Sequence, residues 1–428
     1  MLWFSSVTFK GSKILCIFSI ADVQGVATMN SAFEFTSGLE QGLIAAVRQI
    51  QPLLRRNAPL GEAQRSMTDE VLHTLEQLDV WSLITPRRWG GKGLSSAAFS
   101  RINREIAKGD PAVAWVVQII NGCTWVASLT SDRLQEELFS HGIPRFCSSF
   151  AVAGTAKQVP GGFLVDGTWP YNSGCRQSSW GQYLVNLQRE DGTIVPGNFV
   201  YIPMAEVEIK DTWYTVGMQG TSSDSVIGKN IFVPEHRFVS SAKTFGFREP
   251  GKKHVGAPSD NWQVFPLIRA AGLGQLVGAV EAALELALEG AQRKPVPNTT
   301  YAKQMNSPVV QRNLGEAAAK IDAAALLVDS LCDVQDQAAL AGRHFSPLER
   351  ARQKAGCALT TELLSAALEK IMFVGGSSAF AYANELQRFW RDYNTAARHA
   401  IYLPDFGYEV YGAMRLGMNQ TVVPPNLV

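Results

Sequence analysis

The sequence predicts an α+β protein in three parts: an N-terminal helical domain, a middle β-barrel or sandwich, and a C-terminal four-helix bundle. Apolar residues recur at helical spacing in the first and last thirds of the chain, and they alternate with polar residues in the middle third. The chain has 428 residues, of which 46% are hydrophobic, so it can bury more than one ordinary core. We place the domains at residues 29–143, 144–255 and 256–428.

Residues 1–28 form a separate extension. Lys10 and Lys13 precede a short apolar run that is interrupted by Asp22, which loosely imitates a secretory signal. Met29 then opens a segment that reads like a second start. We therefore expect an extension that is disordered or not translated in the cell rather than a signal. No other segment approaches the roughly 20 apolar residues needed to span a bilayer.

The helical domain shows clear start signals. Asp110 followed by Pro111 predicts a helix N-cap and first turn, and Ser131 predicts another cap. Between two helices, residues 85–94 contain Pro and three Gly residues, which predicts an ordered loop. From residue 144 to about 239, short alternating segments are separated by Gly-rich turns, as in a compact β-domain.

The C-terminal region is predicted to hold helices over 265–293, 309–340, 348–373 and 386–400. Ser346 and Glu349, with a proline between them, form a capping-box pattern at the start of the third helix. Gly272, Gly274 and Gly278 lower helix propensity in the first helix, which indicates close helix contact. A subunit interface is one candidate for that contact.

Composition excludes several classes of function. Lys plus Arg number 39 against 38 Asp plus Glu, without a basic run, which argues against nucleic-acid binding. The six cysteines show no CxxC pattern, which argues against a zinc site or disulfide framework and favours a reducing cytoplasm. No Walker loop, GxGxxG after a strand, HExxH or GxSxG string is present. We expect no metal centre.

A polar stripe stands out near the C-terminus. If residues 386–400 are a helix, Arg388, Asp392, Thr395 and His399 fall on one face. This pattern is compatible with an interhelical salt-bridge network or with the wall of an active site, because both bring titratable groups together.

Two turn-rich stretches of the β-domain combine short polar side chains with glycine. They are residues 169–174, WPYNSG, and residues 217–224, GMQGTSSD. Such turns let backbone N–H groups approach a flat heterocycle or a phosphate. Ordinary hairpin turns would have the same composition, so the pattern alone leaves both interpretations open.

Six segments in this order resemble the acyl-CoA dehydrogenase fold over about residues 35–420. They read PRRWGGKGL, REIAKGDPAVAWV, VDGTWPYNSG, DTWYTVGMQGTSSDSV, IFVPEHR and RFWRD. The string RHAIYLPDFG lacks the glutamate that dehydrogenases use as a base, and SSFAVAGTAKQVPGG replaces their first-strand motif. The chain is therefore more similar to the flavin-dependent monooxygenase branch, whose members include oxygenases acting on 4-hydroxyphenylacetate, steroid-derived phenols and dibenzothiophene.

This resemblance implies a two-component monooxygenase. A separate NAD(P)H:flavin reductase would supply reduced FMN or FAD, which would react with O2 to a C4a-hydroperoxyflavin. The enzyme would then hydroxylate, or oxygenate at nitrogen or sulfur, a small aromatic, polyketide-like or amine substrate. The resemblance also implies a cytoplasmic homotetramer assembled through the C-terminal helices, with Gly375 and Gly376 meeting a neighbouring subunit's flavin.

The resemblance assigns roles to individual residues. Ser173 would lie by flavin N5, and His399 would face C4a and hold the distal oxygens or move a proton, with Asp392 shaping its surroundings. Cofactor contacts are expected from Trp169, Tyr171, Asn172, Ser173, Thr221, Ser222, Arg391, Gly375 and Gly376. Where several relatives carry a second histidine, this chain offers Asn121, Cys123 and Thr124 as substrate contacts, so a phenol-deprotonating role is in doubt.

Two alternatives remain open from the sequence. An acyl-CoA dehydrogenase with a relocated base, Glu385 or Glu409, would bind FAD tightly. A non-catalytic member of the fold would bind no flavin and act only through partners.

Overall fold

The computed structural model describes residues 7–9, 12–14, 20–240, 253–420 and 422–423, with side chains described from residue 38 onward. Strands β1 (Val7–Phe9) and β2 (Ser12–Ile14) form an antiparallel pair, and helix α1 (Ile20–Gln64) follows. The expectation for residues 1–28 thus lies partly outside the described residues. Within the described part, α1 has already begun at Ile20.

The N-terminal helices begin where the caps predict. Helices α2 (Asp69–Gln77), α3 (Ser96–Gly109), α4 (Pro111–Ala127) and α5 (Asp132–Phe139) follow α1. The Asp110 carboxylate accepts the Ala112 N–H at 2.8 Å, and Ser131 caps α5. Residues 85–94 form a loop around one short 3-10 turn, so the capping and loop predictions are confirmed.

The middle region is a seven-stranded sheet. Its strands are β3 (Phe146–Val159), β4 (Gly162–Asn172), β5 (Trp180–Gln188), β6 (Ile194–Pro203), β7 (Glu208–Lys210), β8 (Asp224–Pro234) and β9 (Phe238–Ser240). Their order is β7-β8-β4-β3-β5-β6-β9, with every pair antiparallel except β3–β5. A separate apolar core fills this domain.

Five helices make the C-terminal region: α6 (Val264–Ala291), α7 (Pro308–Leu340), α8 (Pro347–Gly375), α9 (Glu385–Ala396) and α10 (Pro404–Arg415). The capping box at Ser346 is confirmed. The prediction of a helix to residue 400 is wrong for its last four residues, because the chain turns after Ala396. That turn buries Tyr402 and leads into α10.

The glycines of α6 allow helix contacts within the chain. A Cβ on Gly274 or Gly278 would overlap the backbone carbonyl of Ser100 or Arg104 on α3, and one on Gly272 would overlap Gln118 and Tyr402 side-chain atoms. Close contact is therefore confirmed, and it is intramolecular. Helix α6 is also long and apolar enough to cross a membrane, but 72% of its apolar window is buried inside the protein.

Candidate active site

A chain of hydrogen-bonded hydroxyl groups lies where the end of β4 meets the 217–223 loop. The Trp115 indole N–H donates to Ser173 Oγ at 3.0 Å. Ser173 Oγ lies 2.7 Å from Ser223 Oγ, which lies 2.6 Å from Thr221 Oγ1. Thr221 in turn donates to the Met218 carbonyl at 2.8 Å. All five residues are buried.

A glycine brings the two β-domain segments against α4. Gly174 has φ +75°, and a Cβ there would lie 2.9 Å from Val116 Cγ1. Its N–H donates to the Thr221 carbonyl at 2.8 Å. A residue without a side chain is needed for this approach and this backbone conformation. The WPYNSG turn is therefore built to join the 217–223 loop to α4.

Helix α9 holds the other side of the same loop. The Met218 N–H donates to the Asp392 carboxylate at 2.5 Å, and Arg391 donates to the Val216 carbonyl and pairs with Glu62 at 2.9 Å. A Cβ on Gly217 would overlap the Arg391 carbonyl. Arg391 and Asp392 of α9 are thus both engaged with the loop or with α1.

The Asp392 carboxyl group is 2% exposed. Burial, with a smaller contribution from the nearby Asp110 carboxylate, raises its pKa to about 7, while the Met218 N–H and the Arg388 guanidinium oppose the shift. Burial also raises the pKa of Asp110. Asp392 therefore holds the 217–223 loop from the α9 side. It contacts the hydroxyl chain only through Met218.

His399 lies in the turn after α9, with its ring centroid 5.4 Å from that of Trp115 and 6.4 Å from that of Tyr402. The Ile401 N–H donates to His399 Nδ1 at 3.4 Å, so in the neutral ring the proton is on Nε2.

The exposure of His399 and the desolvation of its imidazole point to different pKa values. Its side chain is exposed, which by itself would leave the pKa unchanged, yet desolvation lowers the pKa to about 4. The two agree if water reaches the imidazole through an opening while protein encloses the rest of it. His399 is consequently neutral at pH 7 and offers Nε2–H as a donor.

Several expected cofactor contacts lie elsewhere. The Trp169 side chain is wholly buried in the β-domain core, with its ring centroid 4.5 Å from that of Tyr183, and its N–H donates to the Leu184 carbonyl. The buried Ser222 hydroxyl donates to Gln177 Oε1 at 2.9 Å, away from the hydroxyl chain.

Asn172 and Tyr171 keep groups that a ligand can use. Asn172 donates to the Trp169 carbonyl, while its Oδ1 is buried with no hydrogen-bond partner among the described residues. Tyr171 is 68% exposed at φ +63°, and its ring meets Trp213 edge-on at 6.2 Å. The exposed ring of Tyr171 and the unpartnered side-chain oxygen of Asn172 therefore directly precede Ser173 in the sequence.

The three residues of α4 that are expected to contact substrate are all buried. Asn121 and Thr124 are fully buried and donate to the carbonyls of Val80 and Pro144. Cys123 is also buried, and desolvation raises its pKa to about 12, so it is a neutral thiol. Helical spacing puts Ile119, which is partly exposed, on the same face as Trp115 and Cys123.

Gly375 and Gly376 end α8 at the surface. Nothing lies within 4 Å of a Cβ built on Gly376, and Gly375 contacts only its own segment, at Ala379 and Leu386. Within one chain, therefore, these glycines contact no part of the hydroxyl chain. Neither alternative base adjoins it: Glu409 is exposed on α10, and Glu385 lies 3.7 Å from Arg388 at the start of α9.

Two neighbouring cavities, of about 400 and 440 Å³, are lined by other residues. They share Arg88, residues 255–258, Ala339 and Leu340. Arg88 is already paired with Asp260 at 2.8 Å. None of the lining residues belongs to the hydroxyl chain, so these two cavities are separate from the candidate site.

Trp115 and Ser223 were missed by sequence reasoning. Trp115 sits in an apolar helix and reads as a core residue, while Ser223 stands beside Thr221 and Ser222 with nothing to distinguish it. Only the folded arrangement shows that Trp115 joins Ser173 to His399.

Known proteins share this architecture over most of the chain. Residues 271–404 match the family model "Acyl-CoA dehydrogenase, C-terminal domain". The oxygenase subunit HsaA of a flavin-dependent monooxygenase from Mycobacterium tuberculosis (strain ATCC 25618 / H37Rv) is 30% identical, covering 88% of this chain and 96% of the relative. The oxygenase component of an FADH(2)-dependent resorcinol hydroxylase from Rhizobium sp. (strain MTP-10005) is 25% identical, covering 88% and 94%.

A solved structure gives the same result. XiaF from Streptomyces sp., in complex with FADH2 and glycerol, superposes with a TM-score of 0.88 at 29% identity and covers 92% of this chain and 99% of its own. The fold and these relatives therefore define an acyl-CoA dehydrogenase-like oxidoreductase. This chain belongs to the family of flavin-dependent monooxygenase oxygenase subunits.

Proposed function

We propose that this chain is the oxygenase component of a two-component system that hydroxylates a small aromatic substrate with O2 and reduced FMN or FAD supplied by a separate reductase. The observation that carries the proposal is the position of Trp115, which donates to Ser173 and lies ring to ring with His399. These are the two residues to which the resemblance assigns flavin chemistry.

The residues fit a flavin. Flavin heteroatoms need neutral hydrogen-bond partners, and here Ser173 Oγ and the unpartnered Asn172 Oδ1 can provide them. The exposed ring of Tyr171 offers an apolar surface for a flat heterocycle. We propose that these three residues hold the cofactor, while Asp392 and Arg391 act from behind the loop. A bound reduced flavin supplies the electrons that activate O2.

We propose that His399 acts through Nε2–H. A neutral imidazole donating a hydrogen bond stabilises charge that develops on a reacting oxygen, and enclosure of the site strengthens that interaction. With a pKa of about 4, the ring is a poor base for a phenol at neutral pH. Trp115, whose ring lies beside the imidazole, and Ile119 on the same face of α4 supply apolar surface on this side of the site.

An aromatic substrate is supported by two observations. Phe150 lies ring to ring with Phe265 at 6.0 Å and meets Phe199 edge-on at 6.1 Å, and Phe199 belongs to the apolar cluster that contains Cys123 and Ile119 of α4. Relatives are named for resorcinol, p-hydroxyphenylacetate and indole-3-acetate, all of them aromatic.

The test is oxygenation with a chemically or enzymatically reduced flavin. Protein, reduced FMN or FAD, O2 and a panel of phenols and indoles should give a product containing one atom from ¹⁸O2, detected by mass spectrometry. Release of all consumed oxygen as H2O2 with every substrate would contradict the proposal. Reduction of bound FAD by an acyl-CoA would favour the dehydrogenase alternative.

We also propose a cytoplasmic homotetramer in which α8 contributes to the interface. The turn containing Gly375 and Gly376 is bordered by Phe373, Phe380 and Tyr382, which are 73%, 52% and 97% exposed. Such clustered apolar exposure is typical of an interface. Light scattering should give a tetramer for the wild type and a smaller species for Phe373→Asp; a wild-type monomer at micromolar concentration would contradict this.

A further inference from the structure

The hydroxyl chain has a defined direction. The Trp115 N–H can only donate, and the Met218 carbonyl oxygen can only accept. Thr221 gives its single hydroxyl proton to Met218, so Ser223 must donate to Thr221. Ser223 then has no proton left, so Ser173 must donate to Ser223. The order of donation therefore runs from Trp115 through Ser173, Ser223 and Thr221 to Met218.

This direction of donation leaves Ser173 Oγ able only to accept a hydrogen bond from a ligand. The oxygen accepts from Trp115, donates its proton to Ser223, and retains one lone pair. Toward a ligand it is an acceptor only. Of Ser173 and His399, it is therefore His399 that supplies a hydrogen-bond donor.

We propose that Ser223 is a positioning residue that makes the site select the reduced form of the flavin. N5 of a reduced flavin carries a hydrogen and can donate, whereas N5 of an oxidised flavin can only accept. An acceptor-only Ser173 complements the first and faces the second with lone pair against lone pair. The inference rests on the proposed function, because it takes the ligand of Ser173 to be a flavin.

The fixed direction is sustained from outside the chain. The Met218 N–H is held by Asp392, and the Met218 carbonyl also accepts the Trp213 indole N–H at 2.8 Å. Both contacts keep Met218 in place as the terminal acceptor. Removal of any hydroxyl in the middle of the chain should release the Ser173 proton toward the ligand.

The experiment compares dissociation constants for oxidised and reduced flavin, measured anaerobically by fluorescence and absorbance. In Ser223→Ala, the Ser173 proton is free to reach N5 of the oxidised form. The ratio of the oxidised to the reduced Kd should fall by about 3- to 10-fold, the effect of one net hydrogen bond. A tenfold fall corresponds to a decrease of about 30 mV in the two-electron potential of the bound flavin.

Thr221→Val provides a second variant of nearly unchanged shape, should Ser223→Ala fail to fold. Without the Thr221 oxygen, Ser223 turns its proton toward Ser173, which reverses the direction and should lower the same ratio. Ser222→Ala is the matched control: its hydroxyl is buried in the same loop but donates to Gln177. The ratio should be unchanged in that variant.

The outcomes separate the inference from the function. A wild type that prefers reduced flavin, with a ratio unaltered by Ser223→Ala and Thr221→Val, overturns the inference and leaves the proposed function standing. An equal fall in Ser222→Ala also overturns it, because the effect would then belong to the loop in general. A wild type that binds neither flavin form overturns the proposed function itself.

Discussion

The two walls of the candidate site are built in opposite ways. On the β-domain side, Ser173 lies in a buried chain in which every hydroxyl has its partners, while on the bundle side His399 is exposed and its ring nitrogens make a single 3.4 Å hydrogen bond. Because the hydrogen bonds of Ser173 are made within the protein, this wall presents one fixed atom to a ligand. The Nε2–H of His399 can instead donate a hydrogen bond to a group that forms only during the reaction.

The largest effect expected from this comparison is the loss of product formation when His399 is replaced. His399→Ala should lower product formation by about 10² to 10⁴, the usual contribution of a placed proton donor or acceptor, with little change in reduced-flavin binding. His399→Asn, which donates without titrating, should retain much of the rate. Product per O2 consumed is the measurement.

His73 is an exposed histidine on α2 and supplies the control, because His73→Ala should leave turnover unchanged. The lowered pKa of His399 adds a pH criterion. The ring is already neutral above about pH 5, so wild type and His399→Asn should show parallel pH profiles between about 5.5 and 8. An inflection near pH 6.5 that disappears in His399→Asn would contradict the donor role.

The next effect is the loss of stability when Ser173, on the β-domain side of the site, is replaced. Ser173→Ala leaves the Trp115 N–H without an acceptor and Ser223 without a donor, so the free energy of unfolding should fall by about 1–3 kcal/mol and reduced-flavin affinity should fall with it. Trp115→Phe removes the indole N–H together with part of the buried ring system, so it adds a cavity to the lost hydrogen bond and should cost at least as much. Denaturant unfolding checks both, and an unchanged midpoint in Ser173→Ala would show that the chain adds no stability.

An effect of similar size on stability is expected where α9 supports the loop. In Gly217→Ala the new methyl group meets the Arg391 carbonyl and lies 2.7 Å from Thr395 Oγ1, so stability should fall by about 1–3 kcal/mol. Gly315→Ala on α7 meets nothing within 4 Å and should instead stabilise by about 0.5–1 kcal/mol. Thermal unfolding of the pair distinguishes steric contact from backbone freedom.

The last effect is a dependence of stability on pH that Asp392 sets. Its folded pKa of about 7 lies above its ordinary value, so between about pH 4 and 7 the folded state holds more protons than the unfolded state. Stability should therefore decline as pH rises through that window. Asp392→Asn keeps an acceptor for the Met218 N–H and should flatten the decline, measured as Tm at pH 5 and pH 7; an unchanged slope would contradict the assignment.

The stripe predicted on one helix shows why the two walls differ. Asp392 binds the loop, and its neighbour Arg391 binds the loop and α1, as the structural-network hypothesis predicts, while His399 lies in the turn beyond the helix, beside Trp115. Spacing alone cannot separate these roles, because the helix ends at Ala396 and the turn reorients everything after it.

The sequence by itself determined the elements and the family. Local signals sufficed for this, since the caps at Asp110 and Ser346 and the alternation in the β-domain depend on neighbouring residues. Ordered motifs identified the fold and brought Ser173 and His399 to attention.

Tertiary structure decided which side chains share the site. Trp169 is taken into the sheet core, and Asn121 and Thr124 are turned toward backbone carbonyls, because hydrogen bonds and burial across distant segments fix their direction. The same long-range contacts place Trp115 between Ser173 and His399 and set the direction of the hydroxyl chain. Such partners come from parts of the chain far apart in sequence, so no local pattern encodes them.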